Sequence, residues 1–192
     1  MHEYSHGMAA YRLGDPTAKD AGRLTLNPLA HLDLVGTIAL FIVHIGWAKP
    51  VPVNPYYFQN PRRDMVKVAI AGPGSNIILA LISGIILHNL IGTVITPYSV
   101  FHKMMSFMVF INVALAIFNM IPIPPLDGSK VVAGIIPVQH LDKWEAFERK
   151  GGFILIGLIL LGMLTGISVF APVFYMSYFL SELFSGRAQI YF

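Results

Sequence analysis

Long apolar stretches alternate with short polar segments along this chain. Three stretches are long enough to cross a bilayer, whose hydrocarbon core of about 30 Å takes roughly 20 helical residues. They run from about Val66 to Ile95, from Met104 to Ile121 and from Phe153 to Phe170, and the last is open to continuation through Tyr175–Phe184. We therefore predict an all-α polytopic membrane protein with about three to four transmembrane helices. Residues 1–192 are expected to form a single integral-membrane domain.

A fourth apolar run, Leu34–Trp47, is marginal in length for a span. Basic residues bear on its interpretation, because cytoplasmic loops carry an excess of Lys and Arg. Residues 10–30 and 48–67 are both richly basic, whereas the loop at 96–103 contains only Lys103. Placing both basic segments in the cytoplasm makes Leu34–Trp47 a re-entrant hairpin, buried in protein or lining a wet cavity. The alternative is a short true span with residues 48–67 outside.

Composition agrees with a membrane protein and excludes other classes. Of the 192 residues, 55% are hydrophobic and 12% are charged, against about 25% charged in ordinary globular chains. That is too little charge for the surface of a soluble domain, and the apolar content excludes disorder. The net charge of +3 comes from short clusters and not from one patch, so no nucleic-acid partner is expected. The absence of cysteine excludes disulfides, thiolate zinc ligands and cysteine nucleophiles.

The chain begins with an H-E-x-x-H pattern, His2-Glu3-Tyr4-Ser5-His6. Positions i and i+4 of a helix lie on one face, so both imidazoles can ligate one zinc ion. Glu3 lies next to them, near enough to take a proton from the attacking water. A fortuitous polar N-terminus is the alternative interpretation.

A catalytic zinc takes three protein ligands and leaves one position open, so a third ligand is needed besides His2 and His6. Asp127 is the best-placed candidate. The prolines before it cannot continue the preceding helix, and an Asp at membrane depth is by default a functional-site hypothesis. We expect Gly128 to allow a tight turn after the carboxylate. The alternative is an ordinary helix-ending turn at the membrane interface.

Two other polar interruptions fall within the apolar stretches. Asn119, eight residues before Asp127, can donate to the oxygen that becomes negative when water attacks a carbonyl. An interhelical hydrogen bond explains Asn119 equally well. The second interruption, Ala71-Gly72-Pro73-Gly74-Ser75-Asn76, is interpreted as structural packing.

Together these motifs resemble the site-2 proteases, which are intramembrane zinc metalloproteases, and in particular their compact prokaryotic subgroup without a PDZ domain. His2-Glu3-x-x-His6 matches the first motif of that family, and Asn119-x-x-Pro122-x-Pro124-Pro125-Leu126-Asp127-Gly128 matches the second. Further similar stretches extend the resemblance over nearly the whole chain: Gly14–Ala18, Gly22–Pro28, Lys49–Asn54 and Ala71–Asn76. The resemblance implies one Zn²⁺ per chain with His2, His6 and Asp127 as ligands. It also implies that Glu3 is the general base and that Asn119 assists the transition state.

The start of the chain departs from the family pattern. In the family the H-E-x-x-H motif lies within a transmembrane helix that a long apolar stretch precedes, whereas only Met1 precedes it here. We therefore expect most of the first transmembrane helix to be missing, through a start site assigned too late or a truncated gene.

The implied activity is that of an intramembrane metalloendopeptidase, which hydrolyses peptide bonds in or near transmembrane segments of membrane proteins. The expected location is the cytoplasmic membrane, with several spans, and the expected partners are the lipid bilayer and a substrate with a transmembrane helix. Two alternatives remain open. One is an inactive, N-terminally truncated remnant that binds membrane proteins, and the other is a cation transporter whose His and Asp line a pathway.

Overall fold

The computed structural model of the chain describes residues 1–43 and 46–186. Every regular element in these ranges is a helix, which confirms the predicted all-α class. The α-helices are α1 (His2–Arg12), α2 (Thr17–Asp20), α3 (Leu34–Val43), α4 (Pro61–Leu90), α5 (Val100–Asn119), α6 (Asp127–Ile135), α7 (Leu141–Thr165) and α8 (Ala171–Phe184). The chain divides into two compact units, Met1–Gly72 and Pro73–Phe192.

In the first unit, a small hydrophobic core holds α1 against the beginning of α4. Ala10, Phe58 and Val68 are each at most 6% exposed and form its centre. Partly buried residues surround them: Ala9, Leu13, Val53 and Met65. Because His6 and Ala10 are four residues apart, they lie on the same face of α1. The core therefore turns the His6 face of α1 toward α4.

The residues that flank the apolar run Leu34–Trp47 lie next to each other. Leu32, before the run, pairs with Ala48, after it, in an antiparallel bridge. The Lys49 N–H also donates to the His31 carbonyl at 2.9 Å. Ends that lie side by side favour the re-entrant hairpin over a short true span, whose ends would lie on opposite membrane faces. Two positions of the run, 44 and 45, lie outside the described residues.

Helix α3 forms the outgoing leg of this hairpin. Its ten residues, at 1.5 Å each, are about 15 Å long, which is half the thickness of a bilayer core. Gly36 lets the returning leg lie close, because a Cβ there would be 2.2 Å from the Trp47 carbonyl oxygen. The apolar side chains of α3 that are at least half exposed are Leu34, Val35, Ile38, Leu40, Phe41 and Ile42.

Among the described helices, two are long and apolar enough to cross a membrane: α4, with 30 residues, and α5, with 20. They correspond to the predicted spans Val66–Ile95 and Met104–Ile121, each shifted a few residues toward the N-terminus. Helix α4 starts at Pro61, since a proline at the first helical position loses no helical hydrogen bond. Helix α5 starts earlier than predicted because the Ser99 hydroxyl caps it, accepting from the His102 N–H at 3.2 Å.

The third predicted span, Phe153–Phe170, is not one helix. Helix α7 starts much earlier, at Leu141, so its first part is the charged segment that precedes the apolar run. It ends because Gly166 takes a left-handed conformation with φ of 71°. Helix α8 then starts with Pro172 in its first turn. The number of three to four transmembrane helices therefore stays a prediction.

In the second unit, α8 packs antiparallel to α5. The rings of Phe110 and Phe174 have centroids 5.4 Å apart, and those of Phe118 and Phe170 are 5.5 Å apart. The buried face of α8 and its C-cap consists of small polar residues whose hydroxyls donate to carbonyls one turn earlier: Ser177, Ser181 and Ser185. Such back-bonding satisfies a buried hydroxyl within its own helix.

Candidate active site

The two histidines of the H-E-x-x-H pattern converge on one face of α1. The helix begins at His2, so His2, Glu3 and His6 all lie in its first two turns. The Nε2 atoms of His2 and His6 are 2.9 Å apart, and the ring planes meet at 82°. The i, i+4 spacing thus brings two imidazole nitrogens to one point.

Burial and a backbone hydrogen bond fix the His6 ring. The residue is 8% exposed, and its Nδ1 lies 2.7 Å from the Val68 carbonyl oxygen. A carbonyl only accepts hydrogen bonds, so in a neutral ring Nδ1 carries the proton and Nε2 presents a lone pair. Metal-binding histidines are commonly oriented in this way.

Gly72 makes room for both rings. A Cβ at this position would lie 2.3 Å from His6 Nε2 and 2.7 Å from His2 Cε1. Any side chain would therefore displace the imidazoles. The glycine belongs to the Ala71–Asn76 stretch that we interpret from sequence as structural packing. Its neighbours show that this close packing is against the candidate zinc ligands.

Glu3 is held by the backbone of a distant segment. Its Oε2 accepts a hydrogen bond from the Val51 N–H at 2.8 Å. Val51 is 8% exposed and lies close to Gly7, one turn further along α1, where a Cβ would be 3.1 Å from Val51 Cγ1. Sequence reasoning does not find the contribution of Val51 or of Val68, because both act through main-chain atoms that every residue has.

This donor set fits a zinc ion. Zinc binds imidazole nitrogen at about 2.0–2.1 Å, and two such nitrogens face each other with the tautomer of His6 set by Val68. A carboxylate, Glu3, lies next in sequence to one of them and is itself held in place. These are the groups that a catalytic zinc centre requires from one helix.

Asp127 belongs to the second unit, where it is the first residue of α6. It is 7% exposed, and its place in the first turn puts a negative charge near the positive end of the helix dipole. The preceding residues 120–126 are not helical, as the prolines at 122, 124 and 125 predict.

Gly128 does not form the turn that we expected after Asp127. It lies within α6, and its φ is not positive. A Cβ there would be 2.2 Å from the Met120 carbonyl oxygen, and one at Gly151 of α7 would be 2.4 Å from Pro124 Cβ. The prolines turn the chain. Gly128 and Gly151 have no side chain, which lets this turn pack closely against α6 and α7. The need is for close approach, not for an unusual backbone angle.

Asn119 is the last residue of α5 and is half-buried. Its Nδ2 donates to the Leu115 carbonyl at 2.9 Å, within its own helix. A role in the transition state stays a prediction. The structure thus gathers His2, Glu3 and His6 in the first unit. In the second unit, Asn119 and Asp127 lie at the two ends of the proline-rich turn.

Comparisons of the sequence with a family profile and with known proteins point to the same protein family. The sequence profile described as Peptidase family M50 matches residues 89–164. "Putative zinc metalloprotease YwhC" of Bacillus subtilis (strain 168) is 41% identical over 155 residues, covering 79% of this chain and 71% of that protein. "Putative zinc metalloprotease Rip2" of Mycolicibacterium smegmatis is 32% identical over 134 residues, covering 67% of this chain and 50% of that protein. "Putative zinc metalloprotease MJ0611" of Methanocaldococcus jannaschii is 35% identical over 129 residues, covering 67% and 58%.

No solved structure matches the chain, so the family assignment rests on sequence. The similarity to YwhC covers most of both chains, whereas the chain spans about half the length of Rip2. These matches confirm the resemblance to site-2 proteases, the zinc metalloprotease class and, with the apolar helices, membrane association. Nothing in them favours a remnant or a transporter. The chain belongs to Peptidase family M50.

Proposed function

We propose that residues 1–192 act as one membrane-embedded peptidase domain that hydrolyses peptide bonds in or near the transmembrane segments of other membrane proteins. The observation that carries this proposal is the Nε2 pair of His2 and His6, 2.9 Å apart on α1 beside the held carboxylate of Glu3. The expected location is the cytoplasmic membrane, where α4 and α5 are two of several spans and Leu34–Trp47 re-enters.

His2, His6 and Asp127 are the proposed ligands of one zinc ion per chain. Two imidazoles and a carboxylate are a donor set that catalytic zinc sites use, with the fourth position left open. The bound ion would supply Lewis-acid polarisation of the substrate carbonyl and a lowered pKa for its water. The His6 ring is already in the tautomer that such binding requires, because its Nδ1 proton is used by the Val68 carbonyl.

Glu3 is the proposed general base. It takes a proton from the attacking water and later delivers it to the nitrogen of the leaving amine. Its Oε2 accepts a hydrogen bond from the Val51 N–H, and we assign this proton transfer to Oε1. Asn119 is proposed to donate a side-chain N–H to the scissile carbonyl oxygen as negative charge develops on it. An amide nitrogen carries two hydrogens, so the bond to Leu115 does not exhaust its donors.

A helical substrate must unwind before it is cut, because its peptide carbonyls are engaged in helical hydrogen bonds. The segment Lys49–Pro55, which is non-helical up to Asn54, lies beside Glu3 through the Val51 contact. We propose that it, together with the hairpin Leu34–Trp47, offers an edge along which the unwound substrate pairs. Unchanged cleavage after disruption of pairing along this edge would count against the idea.

Cleavage of a labelled single-span protein in detergent tests the proposed function. Wild type is expected to cleave it and to bind one zinc per chain, and Glu3→Gln to bind zinc without cleaving. Asp127→Asn is expected to lose both, because the third ligand is weakened. Glu145→Gln, which makes the same change at an exposed site on α7, is the matched control and should behave as wild type.

Three outcomes would overturn the proposal. Full cleavage by Glu3→Gln would exclude Glu3 as the base. A folded wild type that holds no zinc would indicate a remnant that binds membrane proteins without cutting them. Metal transport that survives Glu3→Gln, in the absence of any cleavage, would indicate the transporter alternative.

A further inference from the structure

Asp15 is a buried carboxylate outside the two motifs that carry the zinc chemistry. It follows α1 and precedes α2, and it is fully buried. Its Oδ1 accepts from the backbone N–H and the hydroxyl of Thr17, and its Oδ2 accepts from the Asn54 N–H at 2.7 Å. Burying a carboxylate is costly unless donors surround it, and bonds to a charged acceptor are about twice as strong as neutral ones. Asp15 is therefore a firm anchor for Asn54.

The Asn54 contact fixes one end of the segment that holds Glu3. We call residues Val51–Asn54 the tether segment. At its first residue the Val51 N–H donates to Glu3 Oε2 at 2.8 Å, and at its last residue the Asn54 N–H donates to Asp15. Val53, between them, packs against the hydrophobic core of the first unit. Two carboxylates, one on α1 and one just after it, thus hold the tether segment at both ends.

We propose that Asp15 is a positioning residue for the peptidase reaction. By holding the tether segment it keeps the Val51 N–H on Glu3, and so it fixes the orientation of the Glu3 carboxylate. This inference rests on the proposed role of Glu3 as general base. An aspartate is required because donors approach both of its oxygens, whereas an asparagine would turn its NH₂ group toward one of those donors.

Hydrogen–deuterium exchange measures the tether segment directly. Prolines at 50, 52 and 55 have no N–H, so residues 50–55 contribute only the amide hydrogens of Val51, Val53 and Asn54. In zinc-loaded Asp15→Asn we expect these amides to exchange about tenfold faster than in wild type, since a charge-assisted bond is lost. Asp20→Asn changes an exposed acid on α2 in the same way. It should leave the exchange unchanged.

The kinetic signature of positioning is a loss of kcat at a nearly constant KM. Misplacing a catalytic group slows the chemical step, and Asp15 is not proposed to touch the substrate. We expect Asp15→Asn to lower kcat about 10- to 100-fold in protein that is folded at the assay temperature and holds wild-type zinc. Thr17→Val removes one donor to Oδ1 and leaves the Asn54 contact. It should keep the wild-type kcat. This distinguishes the effect of the Asn54 contact from the effect of the local turn at Thr17.

The outcomes distinguish this inference from the proposed function. Wild-type kcat in Asp15→Asn, with Glu3→Gln inactive, would overturn the positioning role and leave the function standing. No cleavage by wild type would remove the function, and the positioning role with it. If Asp15→Asn does not fold, hydrogen–deuterium exchange of the tether segment is compared between Glu3→Ala and Glu3→Gln. The tether segment must exchange faster in the alanine variant, which has no acceptor for Val51, and equal exchange in the two overturns the inference.

Discussion

Gly72 controls whether the imidazoles of His2 and His6 fit beside α4. In Gly72→Ala the new Cβ would lie 2.3 Å from His6 Nε2, so the ring has to move, and its bond to Val68 is strained or lost. We expect zinc content well below one per chain and at least about 100-fold lower activity. Metal analysis of the purified protein, together with the cleavage assay, checks this.

Gly74→Ala is the matched control for that prediction. It lies on the same helix, two residues further on. Apart from its chain neighbours and the backbone of its own helix, no described atom lies within 4 Å of a Cβ at this position. Replacing a helical glycine by alanine contributes up to about 1 kcal/mol to stability, so this variant should keep zinc and activity. Equal zinc content in the two variants would show that the close contact at Gly72 does not matter.

At the residue scale, the sequence predicts the candidate site residues, because their side chains are of the types that the proposed chemistry needs. The spacing of His2 and His6 alone predicts that they share a face, and the structure shows this. It does not predict the Val68 carbonyl or the Val51 N–H, because a main-chain donor or acceptor has no residue type to recognise. Asp15 is missed for another reason. Its partner Asn54 is 39 residues away, and only the fold brings them together.

Helix α7 depends on close packing at one of two neighbouring glycines. A Cβ at Gly151 would lie 2.4 Å from Pro124 Cβ, in the turn before α6. At Gly152, no described atom outside its chain neighbours and its own helix backbone lies within 4 Å of such a Cβ. We expect Gly151→Ala to lower the free energy of unfolding by about 1–3 kcal/mol, because the proline ring cannot yield. Gly152→Ala should be neutral or stabilising. Thermal unfolding of both variants in detergent measures the difference, and equal melting temperatures would refute it.

At the element scale, hydropathy predicts which stretches are apolar and local chemistry decides where helices end. The predicted stretch Phe153–Phe170 is apolar almost throughout, yet α7 stops at Thr165 because Gly166 adopts a left-handed angle. At its other end the helix extends back through charged residues to Leu141. A segment rich in charged residues and an apolar segment can form one continuous helix. The length of an apolar stretch therefore predicts the positions of α4 and α5 well, but it does not predict the boundary between α7 and α8.

At the scale of the whole molecule, the charge pattern and the hairpin give one testable membrane topology. Basic segments on both sides of Leu34–Trp47 predict that its flanks share the cytoplasmic face, and the pairing of Leu32 with Ala48 brings those flanks together. Helix α4, about 45 Å long at 1.5 Å per residue, exceeds the bilayer core. Its far end, with few cations in the following loop, is therefore predicted to lie on the opposite face.

The absence of cysteine makes each introduced cysteine a unique label for that topology. Lys19→Cys and Tyr56→Cys, both at exposed positions flanking the hairpin, should be protected from a membrane-impermeant maleimide in intact cells and react after lysis. Thr93→Cys, exposed in the connection between α4 and α5, should react in intact cells. Labelling of the first two from opposite sides would make Leu34–Trp47 a true span. Labelling of all three from one side would instead show that α4 does not cross the membrane.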